Sequence, residues 1–277
     1  MLIRQWLQLI KLLNNGNMKV GFIFGLLLFL LVVPLSAQQV KSVIPYRMVG
    51  GKMIVDMSVN GQVRSFIFDT GGQMALTGEL CNELNIPVVD SVKITDVNGK
   101  EVGLPRVVVS SLLTLDGQIN FSGVPAMKLA TPSPFECFHA DGLIGSDLLK
   151  DLIVEIDSKA KTITVTSAEK ASNVSLRKML PFSGKGFMPI ITLQAGAGNS
   201  LIALFDTGCP SFLSLKDTDY ENLRSGRAFQ VMSEGVGGGS IGVGGMTESE
   251  LSYRVEFPLL SVGPTKFKQV TAETSTP

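Results

Sequence analysis

The chain has 277 residues, enough for one large or two small domains with a real core. Its 24 basic and 24 acidic residues cancel, which leaves no electrostatic footprint for nucleic acid or an anionic membrane surface. Its single histidine, His139, excludes a multi-histidine metal site and any Ser-His or Cys-His mechanism that does not use that residue.

Lys19 precedes the apolar run from Val20 to Val33, and Pro34-Leu35-Ser36-Ala37 follows. Charge, apolar stretch and small residues in that order make residues 1–37 a secretory signal cut after Ala37, with an uncleaved membrane anchor as the alternative. Met18-Lys19 is a natural start, which makes residues 1–17 an upstream extension. The expectation is an exported bacterial protein, periplasmic, on the cell surface or secreted.

Lys52–Val59 and Gln62–Asp69 read as strands around Asn60-Gly61, a pair that accepts the positive φ angles of a tight hairpin. Thr77 caps a short helix that runs to Leu84 and that Pro87 closes off. Val92–Thr95 and Glu101–Val109 flank a second Asn-Gly at Asn98-Gly99, and Leu112–Leu129 holds further strands around Asp116-Gly117. Asp141–Thr166 reads as a strand, a short helix capped by Ser146, and a hairpin turning at Ser158–Ala160. Residues 45–167 thus make a first lobe.

Residues 168–186 are polar, basic and turn-rich and read as a linker. After them the order of elements restarts and forms a second lobe over 187–277. A hairpin ends in Phe205-Asp206-Thr207-Gly208, 137 residues beyond Phe68-Asp69-Thr70-Gly71. Helix-like Lys216–Leu223 and the glycine-rich stretch Ser233–Met246 follow. One long internal repeat means two related lobes rather than a solenoid. The odd set Cys81, Cys137 and Cys209 matches no zinc spacing; at least two read as small buried hydrophobes, and the three disulfide pairings stay open.

One Asp-Thr-Gly is a weak signal, since a given tripeptide arises by chance in roughly one chain of this length in twenty. Alone it reads as a turn whose carboxylate accepts backbone N–H groups. Two copies, each after an apolar strand and each at the same place in a repeated order, point to chemistry. Two aspartates brought face to face cannot both ionise cheaply, so one keeps a proton while the other stays charged. The charged one can take a proton from a water between them, and the protonated one can donate to a carbonyl oxygen. Asp69 and Asp206 are therefore the candidate catalytic residues. Thr70 and Thr207 offer hydroxyls to tie the turns together, and Gly71 and Gly208 leave room for close backbone approach. No metal or cofactor is needed.

The segments Phe68–Gly72, Phe205–Cys209 and Asp141–Leu149 (DGLIGSDLL) resemble those of the aspartic peptidases, in particular the bacterial retropepsin-like and pepsin-like group. The likeness spans about residues 45–277. It implies an all-β fold of two related barrel lobes with short helices and the active site in the cleft between them. It implies that Leu143-Ile144-Gly145 crosses beneath the first catalytic turn. It also implies flaps over a peptide or protein substrate, the first holding Asp96, Asn98 and Gly99 and the second holding Gly237, Gly238 and Gly239. Gly72 and Cys209 stand where the group often has alanine or serine. A second crossing element, displaced from Gly145 by the same 137 residues, falls at 282, past Pro277, so the second lobe is expected to be C-terminally incomplete. The function expected is an exported aspartic endopeptidase; the alternative is a catalytically silent peptide-binding or structural module that keeps the fold.

Overall fold

The computed structural model describes residues 40–274 apart from 97–98, 134, 168–179, 186, 197, 210, 237–240, 243–244 and 247–250. The signal read at 1–37, most of the linker, and Asn98, Gly237, Gly238 and Gly239 lie outside the described residues.

β2 (Lys52–Val59) and β3 (Gln62–Asp69) form the expected hairpin. Asn60 and Gly61 take φ angles of 49° and 86°, the two left-handed positions that such a turn demands. Sequence reading missed β1 (Lys41–Val49), which pairs with β10 (Thr162–Ser167) as far as Pro45 and with β2 from Tyr46 onward. Proline has no N–H to donate, and it sits where the strand changes partner. After β4 (Ala75–Leu76), α1 (Gly78–Glu83) starts at Thr77, whose hydroxyl accepts from the Leu80 amide at 3.2 Å.

β5 (Val88–Thr95) and β6 (Glu101–Thr114) make the next hairpin, with Gly99 at φ 76° in its turn. The break expected after Val109 is absent. β6 runs on because Val107, Val109 and Leu112 all bury on the core and its far end pairs with β2. β7 (Asn120–Lys128), β8 (Gly142–Gly145), α2 (Ser146–Leu149) and β9 (Leu152–Asp157) complete a ten-stranded sheet in the order β5-β6-β7-β4-β8-β3-β2-β1-β10-β9. Its core holds Phe66, Phe68, Leu76, Leu80 and Ile163.

The second sheet opens inside the expected linker. Ser183–Lys185 is a strand, β11, because it pairs with Met188–Ile190 at the start of β12 (Met188–Ala195). β13 (Ser200–Leu204), β14 (Ser214–Leu215), α3 (Asp217–Ser225), β15 (Gln230–Val236), β18 (Leu251–Val262) and β19 (Thr265–Thr274) follow, with a small ladder of β16 (Ile241–Gly242) and β17 (Gly245–Met246) between β15 and β18. This succession repeats that of the first sheet. β14 pairs parallel to β19 as β4 does to β7, and β12 pairs with β18 as β2 does with β6. A separate core holds Leu215, Phe257, Leu260 and Tyr220, whose ring stacks on Tyr253 at 4.7 Å.

The two sheets differ at one strand. β3 lies between β2 and β8, whereas β13, among the described residues, pairs with β12 alone. Ile67 and Phe68 are 3% and 2% exposed, while Leu204 and Phe205, their counterparts in the repeat, are 40% and 51% exposed.

Thr77→Ala should lower stability in urea unfolding by about 1 kcal/mol, the usual loss for removing a helix cap, with the far-ultraviolet spectrum unchanged.

Candidate active site

Each Asp-Thr-Gly leaves its sheet at the same place. Asp69 is the last residue of β3, and Asp206 stands two residues beyond β13. Behind each aspartate the chain turns back, with the Gly72 amide donating to the Asp69 carbonyl and the Cys209 amide to the Asp206 carbonyl, both at 3.3 Å. The amide of the glycine two residues on donates to each carboxylate, Gly71 to Asp69 at 2.8 Å and Gly208 to Asp206 at 2.7 Å.

The two turns, 137 residues apart, are locked together by their threonines. The Thr70 hydroxyl donates to the Phe205 carbonyl at 2.7 Å and accepts from the Thr207 amide at 3.1 Å. The Thr207 hydroxyl donates to the Phe68 carbonyl at 3.0 Å and accepts from the Thr70 amide at 3.0 Å. The glycines are required by space. A Cβ on Gly208 would lie 2.5 Å from Asp69 Cγ, and one on Gly71 would run into the Asp206 carboxyl group. Each lobe's glycine is thus the seat of the other lobe's carboxylate.

Burial, then the charge of Asp206, then its side chain's hydrogen-bonding influence push the Asp69 carboxyl up to about 7; the Gly71 amide and the Lys52 ammonium pull the other way. Such a pair holds one proton in common over a range of pH and titrates as a unit.

β8 braces the first turn. It runs parallel to β3 with Asp69 opposite Gly145, so Leu143-Ile144-Gly145 does lie against the strand that delivers Asp69. Ser146 does not cap α2, because Gly145 holds that position; Ser146 gives both its amide (3.0 Å) and its hydroxyl (3.2 Å) to the Gly72 carbonyl. The Asp147 carboxylate accepts from the Met74 amide at 2.8 Å. A Cβ on Gly145 would strike the backbone of Gln73 and Met74.

Of the other residues singled out by sequence, Asp96 and Gly99 sit in the β5–β6 turn, joined by a 3.0 Å bond from the Gly99 amide to the Asp96 carbonyl. Gly72 packs against Leu143 and Asp69, and half-buried Cys209 holds its sulfur 3.5 Å from the Ser211 hydroxyl. His139 ends a single 3₁₀ turn, Glu136–Phe138, at φ 52°. Among the described residues no group of three or more His, Cys, Asp or Glu side chains is placed to hold a metal ion. Sequence reasoning missed the clamping roles of Ser146 and Asp147, although their segment was singled out. It also missed Lys52, which donates to the Gly208 carbonyl from 156 residues away.

No family model matches the chain, and no curated protein matches it. Solved structures do resemble it. A retropepsin-like aspartic protease from Rickettsia conorii is 17% identical, with a TM-score of 0.36 over 47% of this chain and 94% of that one. An aspartic proteinase from Irpex lacteus is 10% identical, with a TM-score of 0.46 over 83% of this chain and 78% of that one. Both likenesses are to aspartic proteases.

Thr207→Val keeps the shape of the side chain but strips the Phe68 carbonyl and the Thr70 amide of their partner. Urea unfolding should show a loss of about 1–3 kcal/mol, the cost of leaving such groups unpaired. The raised Asp69 carboxyl makes a second, pH-dependent expectation. Its folded value lies above the unfolded 3.8, so the native state retains a proton that the unfolded chain has released. That interaction lowers stability as pH rises from 3.8 to about 7 and changes little beyond. Asp69→Asn removes the titration, so the variant should be more stable than the parent at alkaline pH, with the advantage shrinking toward acid in unfolding curves taken across that range.

Proposed function

We propose that the protein is an exported aspartic endopeptidase that hydrolyses peptide bonds with a water activated between Asp69 and Asp206. The observation that carries the reading is the mirrored seating of the two carboxyl groups, each accepting from its own glycine amide and each resting on the glycine of the other lobe. A pair held this close shares one proton, which supplies a general base and a general acid in the same place. The ionised carboxylate takes a proton from the water as its oxygen attacks the scissile carbonyl carbon. The protonated carboxyl donates to the carbonyl oxygen, and the tetrahedral adduct then collapses as the amine leaves with a proton.

The threonine lattice supports this reading because it keeps the two acids aligned before substrate arrives, and orientation of that kind is a large part of catalysis. An extended peptide is the substrate class that suits the arrangement, since strand edges can hydrogen-bond a strand-like backbone. The β15–β18 hairpin adds exposed apolar side chains, Val231, Met232, Val236 and Leu251. Export is supported by the signal-like residues 1–37.

Casein digestion tests the proposal. Asp69→Asn and Asp206→Asn should each lower kcat about 10³-fold or more, the scale of lost general acid–base catalysis. The parent rate should fall as pH rises above about 7, where the pair loses its shared proton. Parental rates in either asparagine variant would sink the reading. Undiminished peptide binding with no cleavage at any pH would favour the silent binding module.

A further inference from the structure

Lys52 opens β2 just after the turn at Gly50 and Gly51, whose φ angles are 55° and 80°. That turn packs on Phe138, where a Cβ on Gly50 would come within 2.8 Å of the ring. The Lys52 ammonium stands over the same ring, 5.9 Å from its centroid. From this seat it crosses to the second lobe and donates to the Gly208 carbonyl. Gly208 is the residue on which the Asp69 carboxyl rests and whose amide donates to Asp206.

The two turns are held from outside at different positions. In the first lobe the catalytic turn is held from behind, its Gly72 carbonyl taken by the amide and hydroxyl of Ser146. In the second lobe, among the described residues, β13 has no strand on its far edge. There a lysine reaching over from the first lobe takes the carbonyl of Gly208, the counterpart of Gly71 and one residue before the counterpart of Gly72.

We propose that Lys52 is a positioning residue of the carboxyl pair, clasping the Gly208 carbonyl so that the second glycine turn stays seated against Asp69 with a positive charge beside it. A charge-assisted hydrogen bond is stronger than a neutral one, and the aromatic ring gives the lysine a second attachment that fixes its reach. The charged groups that act on Asp69 are Asp206 from the opposite turn and Lys52 from β2. Two nearby acids are turned away, Asp147 to the Met74 and Leu148 amides and Asp141 to the Ser65 amide. A cation beside the pair favours its ionised form, so removing the cation moves the pair's titration to higher pH.

The kinetic consequence rests on the peptidase reading above; the titration does not. The experiment follows the aspartate ¹³Cγ resonances of the full chain against pH in the parent, Lys52→Met and Lys52→Arg. Methionine keeps an apolar stem on Phe138 and loses both donor and charge; arginine keeps both. The Asp69–Asp206 resonances should titrate at higher pH in Lys52→Met and near the parental pH in Lys52→Arg. Casein turnover should follow, with kcat reduced about tenfold in Lys52→Met, little change in KM, and the pH profile displaced upward, as for a misplaced but intact acid pair. Should Lys52→Met not fold, Lys52→Gln, which loses the charge and keeps a donor, should show the same displacement. A folded Lys52→Met or Lys52→Gln whose pair titrates as in the parent overturns the proposal, as does an arginine variant displaced as far as methionine. If no form cleaves casein, the peptidase reading fails while the titration still decides on Lys52.

Discussion

Two acids pressed together are the constraint on which the rest of this structure depends. Left to themselves, Asp69 and Asp206 would separate or both take up water, because neighbouring carboxylates repel and burial penalises each charge. The surrounding residues offset that cost by local means. A glycine amide supplies each carboxylate with a donor. A glycine in the opposite turn removes the side chain that would otherwise occupy the carboxylate's place. Two threonines exchange bonds across the junction, so that neither turn can shift without the other. What remains uncompensated appears as the raised Asp69 carboxyl.

The supports are not equal on the two sides. Asp69 is embedded, with β8 along its strand and Ser146 and Asp147 behind its turn. Asp206 hangs from a strand that, among the described residues, has one neighbour, and the aromatic ring beside it, Phe205, is half exposed. Symmetry at the acids therefore sits on an asymmetric frame. The second turn takes its rigidity from the first lobe, through Thr70 to the Phe205 carbonyl and through Lys52 to the Gly208 carbonyl. Two nearly equivalent groups are thus held by one well-braced half and one that leans on it.

Much of this was legible in the linear chain because the relevant physics is short-range. The Asn60-Gly61 hairpin, the Thr77 cap and the strand that ends at Asp69 depend on backbone preferences within a few residues. The duplicated Asp-Thr-Gly, with its fixed displacement of 137 residues, named the two acids, the two threonines and the two glycines before any contact was known. A duplicated motif carries long-range information without needing a long-range calculation.

Other features were decided only when the chain closed on itself. β1 and β11 are strands because partners lie beside them, not because their own residues insist on it, and a proline in one and a polar turn-rich context around the other hid both. Ser146 left its expected cap for the Gly72 carbonyl because β8 carries it behind the Asp69 turn. Lys52 met the Gly208 carbonyl because a glycine turn packed on Phe138 aims it at the other lobe. Sequence by itself determined which residues make the acid pair and the turns that present it, since those depend on neighbours along the chain. Tertiary structure decided what holds the pair in place, since a brace is defined by two points close in space and distant in sequence.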